Sequence, residues 1–187
     1  WAADLLSLVP NDTAVCVRVR QLSEHAEQLE QSELGQRFKA SAFFQQWRGS
    51  EDFRRLNAGI AAFESVTKKP VRTTITELLG RDVVFALSIK PGAAPKGVLL
   101  LEADSAEVLQ AALKLWKQLD SASTKTLTHA EHEYVQVTPA ARQQSYFYAV
   151  FDAQLAITDD ESLLRRTLDV HRDGSGSFGE LAELQPA

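Results

Sequence analysis

The stretch Ser145–Leu168, SYFYAVFDAQLAITDDESLLRRTL, constrains the fold more than any other part of the chain. Two strand-sized apolar runs, SYFYAVF and QLAIT, flank Asp152-Ala153, so the segment predicts two short strands joined by a tight turn. Asp159, Asp160 and Glu161 then crowd the start of a helix, where the helix dipole favours negative charge, and Arg165 and Arg166 fall in its later turns.

The same order occurs earlier. Asp82–Lys90, DVVFALSIK, and Val98–Ala103, VLLLEA, flank the turn PGAAPKG, and a helix opens straight afterwards on Asp104-Ser105. Its residues Val108, Leu109, Ala112, Leu115, Trp116 and Leu119 form one broad apolar face suited to packing on a sheet. This weak internal hairpin-helix repeat predicts an α+β fold, an antiparallel β-sheet covered on one face by helices. Further strands are expected at Thr13–Arg20, Thr124–Thr128 and Glu133–Thr138. In TAVCVRVR, Val15, Val17 and Val19 alternate with Ala14, Cys16 and Arg18, and the valine face is expected to pack inward. The run Val98–Leu101 suggests a strand covered in part on both faces.

Residues 22–66 read as helical and are expected to cover the sheet together with 105–119. Leu22, Leu29, Leu34 and Phe38 give a thin stripe, with a break near Ser32. Phe43, Phe44, Trp47, Phe53, Leu56, Ile60 and Phe63 then recur at roughly helical spacing, interrupted at Gly49-Ser50, where Ser50 suits an N-cap. Pro70 ends this region, and a short helix Thr74–Leu79, capped by Thr76, stops at Gly80. The expected organisation is a single α+β domain over 1–170, with 171–187 a flexible linker, RDGSGSFG, and the truncated start of a following segment.

Composition narrows the function classes. A chain of 187 residues can bury a core without disulfides or metal, and 44% apolar with 24% charged residues argues against disorder. The formal charge of −5, with acids and bases interspersed, argues against a nucleic-acid partner, which needs a concentrated positive face. Cys16 is the only cysteine, so no disulfide forms within the chain, and its apolar setting reads as a buried, inert thiol. No run approaches the ~20 apolar residues that cross a bilayer. The chain begins at Trp1 and has no methionine, as expected of a processed product or an excised piece of a parent with a signal or membrane anchor.

No pattern in the chain carries recognisable catalytic, metal or cofactor chemistry. His129 and His132 in HAEHE lack the third ligand zinc needs and read as a hairpin tip. Asp159, Asp160 and Glu161 read as helix caps rather than a carboxylate pair placed across a cleft. Gly92, Gly97, Gly174, Gly176 and Gly179 lack the lysine and strand–turn–helix setting of a phosphate loop. Arg18 and Arg20, and the group Lys68, Lys69 and Arg72, read as a solvated strand edge and helix end rather than a polyanion patch.

Three segments carry a likeness. LLSLVPNDTAVCVRV resembles the start of a family of uncharacterised bacterial envelope proteins, whose members run from a signal or anchor segment through a P-x-D-t turn into a strand. TITELLGRDVVFALSI resembles that family's "lgrdvalal" strand, and YFYAVFDAQLAITDDESLLRRTL its "dG-x-l-v-i-a-s" hairpin and following helix. Ala153 stands where that family usually has glycine, and Thr158-Asp159 where it has small residues. The resemblance covers roughly two thirds of the chain. It implies an extracytoplasmic domain, in the periplasm or cell envelope, within a larger and membrane-anchored parent, and it implies no catalytic residues.

The expected role is therefore a structural or protein-interaction module whose partner is another protein or a second copy, without nucleic acid, metal or cofactor. The alternative is a binding module for a lipid or small apolar ligand between the aromatic helical region and the sheet, lined by Phe43, Phe44, Trp47 and Phe63.

Overall fold

A computed structural model describes residues 4–119, 122–139 and 144–181. Seven strands are present among them: β1 (Val15–Arg20), β2 (Asp82–Ser88), β3 (Lys96–Glu102), β4 (Ser123–His129), β5 (His132–Thr138), β6 (Tyr146–Phe151) and β7 (Gln154–Thr158). They form one sheet in the order β1-β2-β3-β7-β6-β5-β4, and every neighbouring pair is antiparallel. The helices are α1 (Leu22–Gln31), α2 (Glu33–Ala40), α3 (Ala42–Arg48), α4 (Glu51–Thr67), α5 (Val71–Leu79), α6 (Ala106–Leu119) and α7 (Glu161–Asp173), with short 3-10 turns at Leu5–Leu8 and Phe178–Glu180. The fold is α+β, built on an antiparallel sheet.

The two hairpin-helix units lie side by side, joined where β3 pairs with β7. The expectation of helices on one face only is corrected here: their helices take different faces. On one face Leu163, Leu164 and Leu168 of α7 join Leu5 and Leu8 over Val84, Leu100 and Tyr134. On the other, Leu109 and Leu113 of α6 and Leu78 and Leu79 of α5 pack over Leu101, Tyr148 and Leu155. The connectors differ in length, 103–105 after β3 and 159–160 after β7. The centre of the sheet is thus roofed twice, which accounts for the apolar run in β3: Val98 and Leu100 point to one layer and Leu101 to the other.

Local chemistry explains the boundaries. Ala130 and Glu131, both at positive φ, make the tight turn between β4 and β5, and Asp152 at φ 52° does so between β6 and β7. Asp160 caps α7 by accepting a hydrogen bond from the Leu163 N–H at 2.9 Å, and Gly174 at φ 62° closes it. Buried Tyr134 donates its hydroxyl to Glu161 Oε1 at 2.5 Å and receives Arg165 Nη2 at 3.1 Å, tying β5 to the first turns of α7. The Tyr134 hydrogen bond, followed by Arg165, holds the Glu161 carboxyl below its ordinary range.

Four further expectations are corrected. The valine face of β1 does not pack inward: Val15 and Val17 are exposed, while Cys16 lies against the α7-side core. The alternation is as expected, but the 3-10 turn carrying Leu5 and Leu8 covers the cysteine side. Burial raises the pKa of the Cys16 thiol. Next, the helical region does not blanket the sheet. α1 to α4 pack chiefly on one another and on α5, forming an arm beside the body. Third, the segment after residue 170 is not a linker. α7 continues to Asp173, Asn11 N–H donates to the Gly176 carbonyl at 2.9 Å, Phe178 N–H donates to the Val9 carbonyl at 2.7 Å, and Phe178 packs on the core. The remainder of the expected following segment, 182–187, lies outside the described residues. Last, α5 starts at Val71 rather than Thr74, because the Glu64 carboxylate accepts the Val71 N–H at 2.8 Å and Pro70 has no N–H to satisfy.

Candidate functional site

The arm is built on serines nine residues apart. Ser32, Ser41 and Ser50 each accept the N–H three residues on, from Gly35, Phe44 and Phe53. Ser32 and Ser41 also donate their hydroxyls back to the Leu29 and Phe38 carbonyls, at 2.7 and 2.6 Å. Ser32 and Ser41 each end one helix and start the next, while Gly49 ends α3 and Ser50 starts α4, which breaks the polar and aromatic stretch into rods. Gly35 permits the first corner: a Cβ there would lie 2.0 Å from the Leu29 carbonyl oxygen. Ion pairs Arg37–Glu33, Arg55–Glu51 and Lys39–Glu30 decorate the rods, and Arg72–Glu27 ties α1 to α5.

Aromatic rings form a ladder across the corners. Centroids lie 5.3 Å apart for Phe38–Phe44, 6.4 Å for Phe38–Phe43, 5.7 Å for Phe44–Trp47 and 4.8 Å for Trp47–Phe53. The ladder is only partly shielded. Phe43 is 70% exposed and Leu34 68%, with Leu29, Phe38 and Leu56 also exposed. A second bare apolar surface lies on the sheet. Val15 and Val17 of β1 and Phe85 of β2 share the face that carries α5 and α6, with Val17 directly opposite Phe85, yet they are exposed. Ile89, just beyond β2, is exposed too.

An apolar groove runs between α4, α5, α6 and the centre of the sheet. Phe63 of α4, Ile75 and Leu78 of α5, and Leu113 and Trp116 of α6 enclose a cavity of about 320 Å³ floored by Leu155. A neighbouring cavity of about 320 Å³ shares Phe63 and is edged by Lys69, Glu77 and Lys114. Of the four residues expected to line a ligand site, Phe43, Phe44 and Trp47 lie together on α3 in the exposed ladder, and Phe63 lies apart from them in this groove. Periodicity along one helix could not have supplied Leu78, Trp116 or Leu155, which come together from three elements. The bare sheet patch had a signal, the valine alternation of β1, but not its direction.

The remaining candidates occupy ordinary positions. His129 and His132 face each other at the β4–β5 hairpin end, and His129 Nε2 lies 2.9 Å from Asp169 Oδ1. His171 packs against His132 and Phe151, and burial, followed by the charge of His132, pushes its pKa down. No group of three or more potential metal ligands occurs among the described residues. No helix among them is long and apolar enough to cross a membrane. Searches of protein-family models, curated proteins and solved structures return no match to this chain.

Proposed function

We propose that this domain is a structural, protein-interaction module, and that the partner its bare surfaces fit is a second copy of the same chain. The carrying observation is the pair of unroofed apolar surfaces on one molecule: the α2–α4 ladder, and the β1–β2 patch of Val15, Val17 and Phe85. Taking about 150–250 Å² for a whole aromatic side chain and less for Val and Leu, and scaling by their fractional exposures, these residues present on the order of 800 Å². A stable interface buries about 800 Å² per partner, so the two surfaces suffice if both are used. A two-fold pair does use both, laying each arm over the other copy's sheet patch and closing the assembly.

Light scattering coupled to size exclusion, from about 1 to 100 μM, is expected to show a dimer. Phe43→Glu on the arm and Val17→Glu on the sheet should each give a monomer, since burying an unpaired carboxylate weakens association by ~100-fold or more. A monomeric parent chain throughout that range removes the proposal, as does a dimer indifferent to either substitution. The likeness of the opening segment, the strand at 82–89 and the 146–158 hairpin with its helix to envelope proteins supports a setting in a bacterial cell envelope, within an anchored parent. Fractionation of cells producing the parent protein tests that setting, and recovery in the cytosol rejects it.

A second reading, a binding module for a lipid or small apolar ligand, is favoured by the groove of about 320 Å³ between α4, α5 and α6. A fluorescent fatty acid is expected to bind there and to lose at least ~10-fold in affinity on Ala112→Phe, which fills the groove. Phe43→Glu should leave that affinity unchanged. Binding unaffected by Ala112→Phe, or no binding, eliminates this reading.

A further inference from the structure

A third concavity lies beneath the β2–β3 turn, on the face that carries α7. It encloses about 290 Å³ and is lined by Ser88, Lys90, Ala94, Lys96, Ser162 and Arg166. Three cationic side chains from three places in the chain converge here. Ser88, at the end of β2, is 3% exposed, and its buried hydroxyl has no hydrogen-bond partner among the described residues. A buried hydroxyl in a polar concavity without a partner is a donor waiting for an acceptor.

The charges do not cancel. Lys96 Nζ lies 2.6 Å from Asp160 Oδ2 and 3.2 Å from the Ser162 hydroxyl. Arg166 pairs with Asp12, and Lys90 Nζ lies 3.6 Å from the same carboxylate. Three cations thus meet two carboxylates, leaving one positive charge in excess. Asp12 stands in a turn ahead of β1, and its carboxylate bridges Lys90 and Arg166 as an incoming oxyanion would. Asp160, by contrast, is committed to capping α7.

We propose that this cavity binds the phosphate group of a small phosphomonoester, with Asp12 holding the place of the anion until it arrives. Arg166 offers a planar fork that matches two phosphate oxygens, and Lys90 and Lys96 add point charges. Ser88 supplies an unpaired hydroxyl donor for a remaining lone pair, whereas the Ser162 hydroxyl already donates to Asp160 and accepts from Lys96. A cavity of about 290 Å³ is far larger than the ~30 Å³ share of a single water and leaves room for a small organic group beside the phosphate.

The test titrates the full chain with inorganic phosphate, with glycerol 3-phosphate and with vesicles containing phosphatidic acid. Backbone amide shifts of Ser88, Ala94 and Ser162 report occupancy. Saturable binding of glycerol 3-phosphate in the low-millimolar range or tighter is expected, weakened about 10-fold by Lys96→Gln or Arg166→Gln. Asp12→Asn should tighten it about 10-fold, because the competing carboxylate is gone. Ser88→Ala should weaken binding without lowering the thermal midpoint, since the hydroxyl it removes is unpaired. Binding to vesicles alone, with the same dependence on Lys96 and Arg166, supports the phosphate site with a lipid headgroup as the source. No saturable binding by the parent chain or Asp12→Asn to any of the three, or binding indifferent to Lys96 and Arg166, overturns the proposal. So does weaker binding on Asp12→Asn.

Discussion

Replacing Leu164 with alanine is expected to cost about 3–4 kcal/mol, the largest effect of any single truncation considered for this domain. Leu164 is fully buried in α7, in the layer that also holds Leu5, Leu8, Leu100 and Leu168. The cost has two parts, the lost transfer free energy of the removed carbons and the cavity left behind. The neighbours have little freedom to close that cavity: the 3-10 turn is held by Asp4, and α7 by its cap and by the Tyr134–Glu161 bond. Leu34→Ala is the matched comparison. The same truncation on a side chain 68% exposed in the arm, measured at a concentration low enough that the chain is monomeric, should change stability by no more than about 0.5 kcal/mol. Urea unfolding of both variants decides the matter. A loss under about 1.5 kcal/mol for Leu164→Ala would mean that α7 is not seated on the sheet as described.

The second large effect is expected at Asp82. Its carboxylate is held by Arg18 from the neighbouring strand, with Arg18 Nε at 3.1 and 2.9 Å from the two oxygens and Nη2 on Oδ2. The pair is nearly out of water, with side-chain exposures of 19% for Arg18 and 9% for Asp82. Asp82→Ala leaves the guanidinium with Asp4 alone, which is 54% exposed and well screened. Breaking a buried pair costs about 3–5 kcal/mol, and the partial exposure of Arg18 together with the remaining Asp4 contact lowers the expected loss to about 2–3 kcal/mol. The double variant Arg18→Met, Asp82→Ala should recover at least half of that loss, because no charge is then stranded. Denaturant midpoints of the single and double variants measure it. A loss below about 1 kcal/mol on Asp82→Ala, or no recovery in the double variant, would show that the pair is solvated.

These two sites differ in how visible they are in the chain. Leu164 lies on a helix announced by the acids at 159–161, so the helix was legible, but which of its residues are buried was not read from the sequence. The partnership of Arg18 and Asp82 spans 64 positions and needs the register of β1 against β2, which no local pattern states. The arm shows a similar split. Helical spacing of Phe43, Trp47 and Phe53 and the cap at Ser50 were readable, because caps and periodicity act within a few residues. That much of the aromatic stripe stays exposed was not readable, since an apolar stripe has the same period whether it meets a sheet, a second molecule or water. The phosphate-type cavity was hidden for the same reason. Ser88, Lys96 and Arg166 come from separate elements and signify nothing until the sheet brings them together.

Sequence by itself determined the strands at 82–88, 146–151 and 154–158, the helices that open on acids, and the antiparallel hairpins between them, because dihedral preferences, caps and turns are settled within a few residues. Only the tertiary structure decided which side of β1 is covered, that α6 and α7 lie on opposite faces, and that the segment to Leu181 packs back on the core. Both sides of a strand satisfy the same period-two pattern. Which one is buried depends on where distant elements land, and that is a property of the whole chain's packing rather than of any stretch of it.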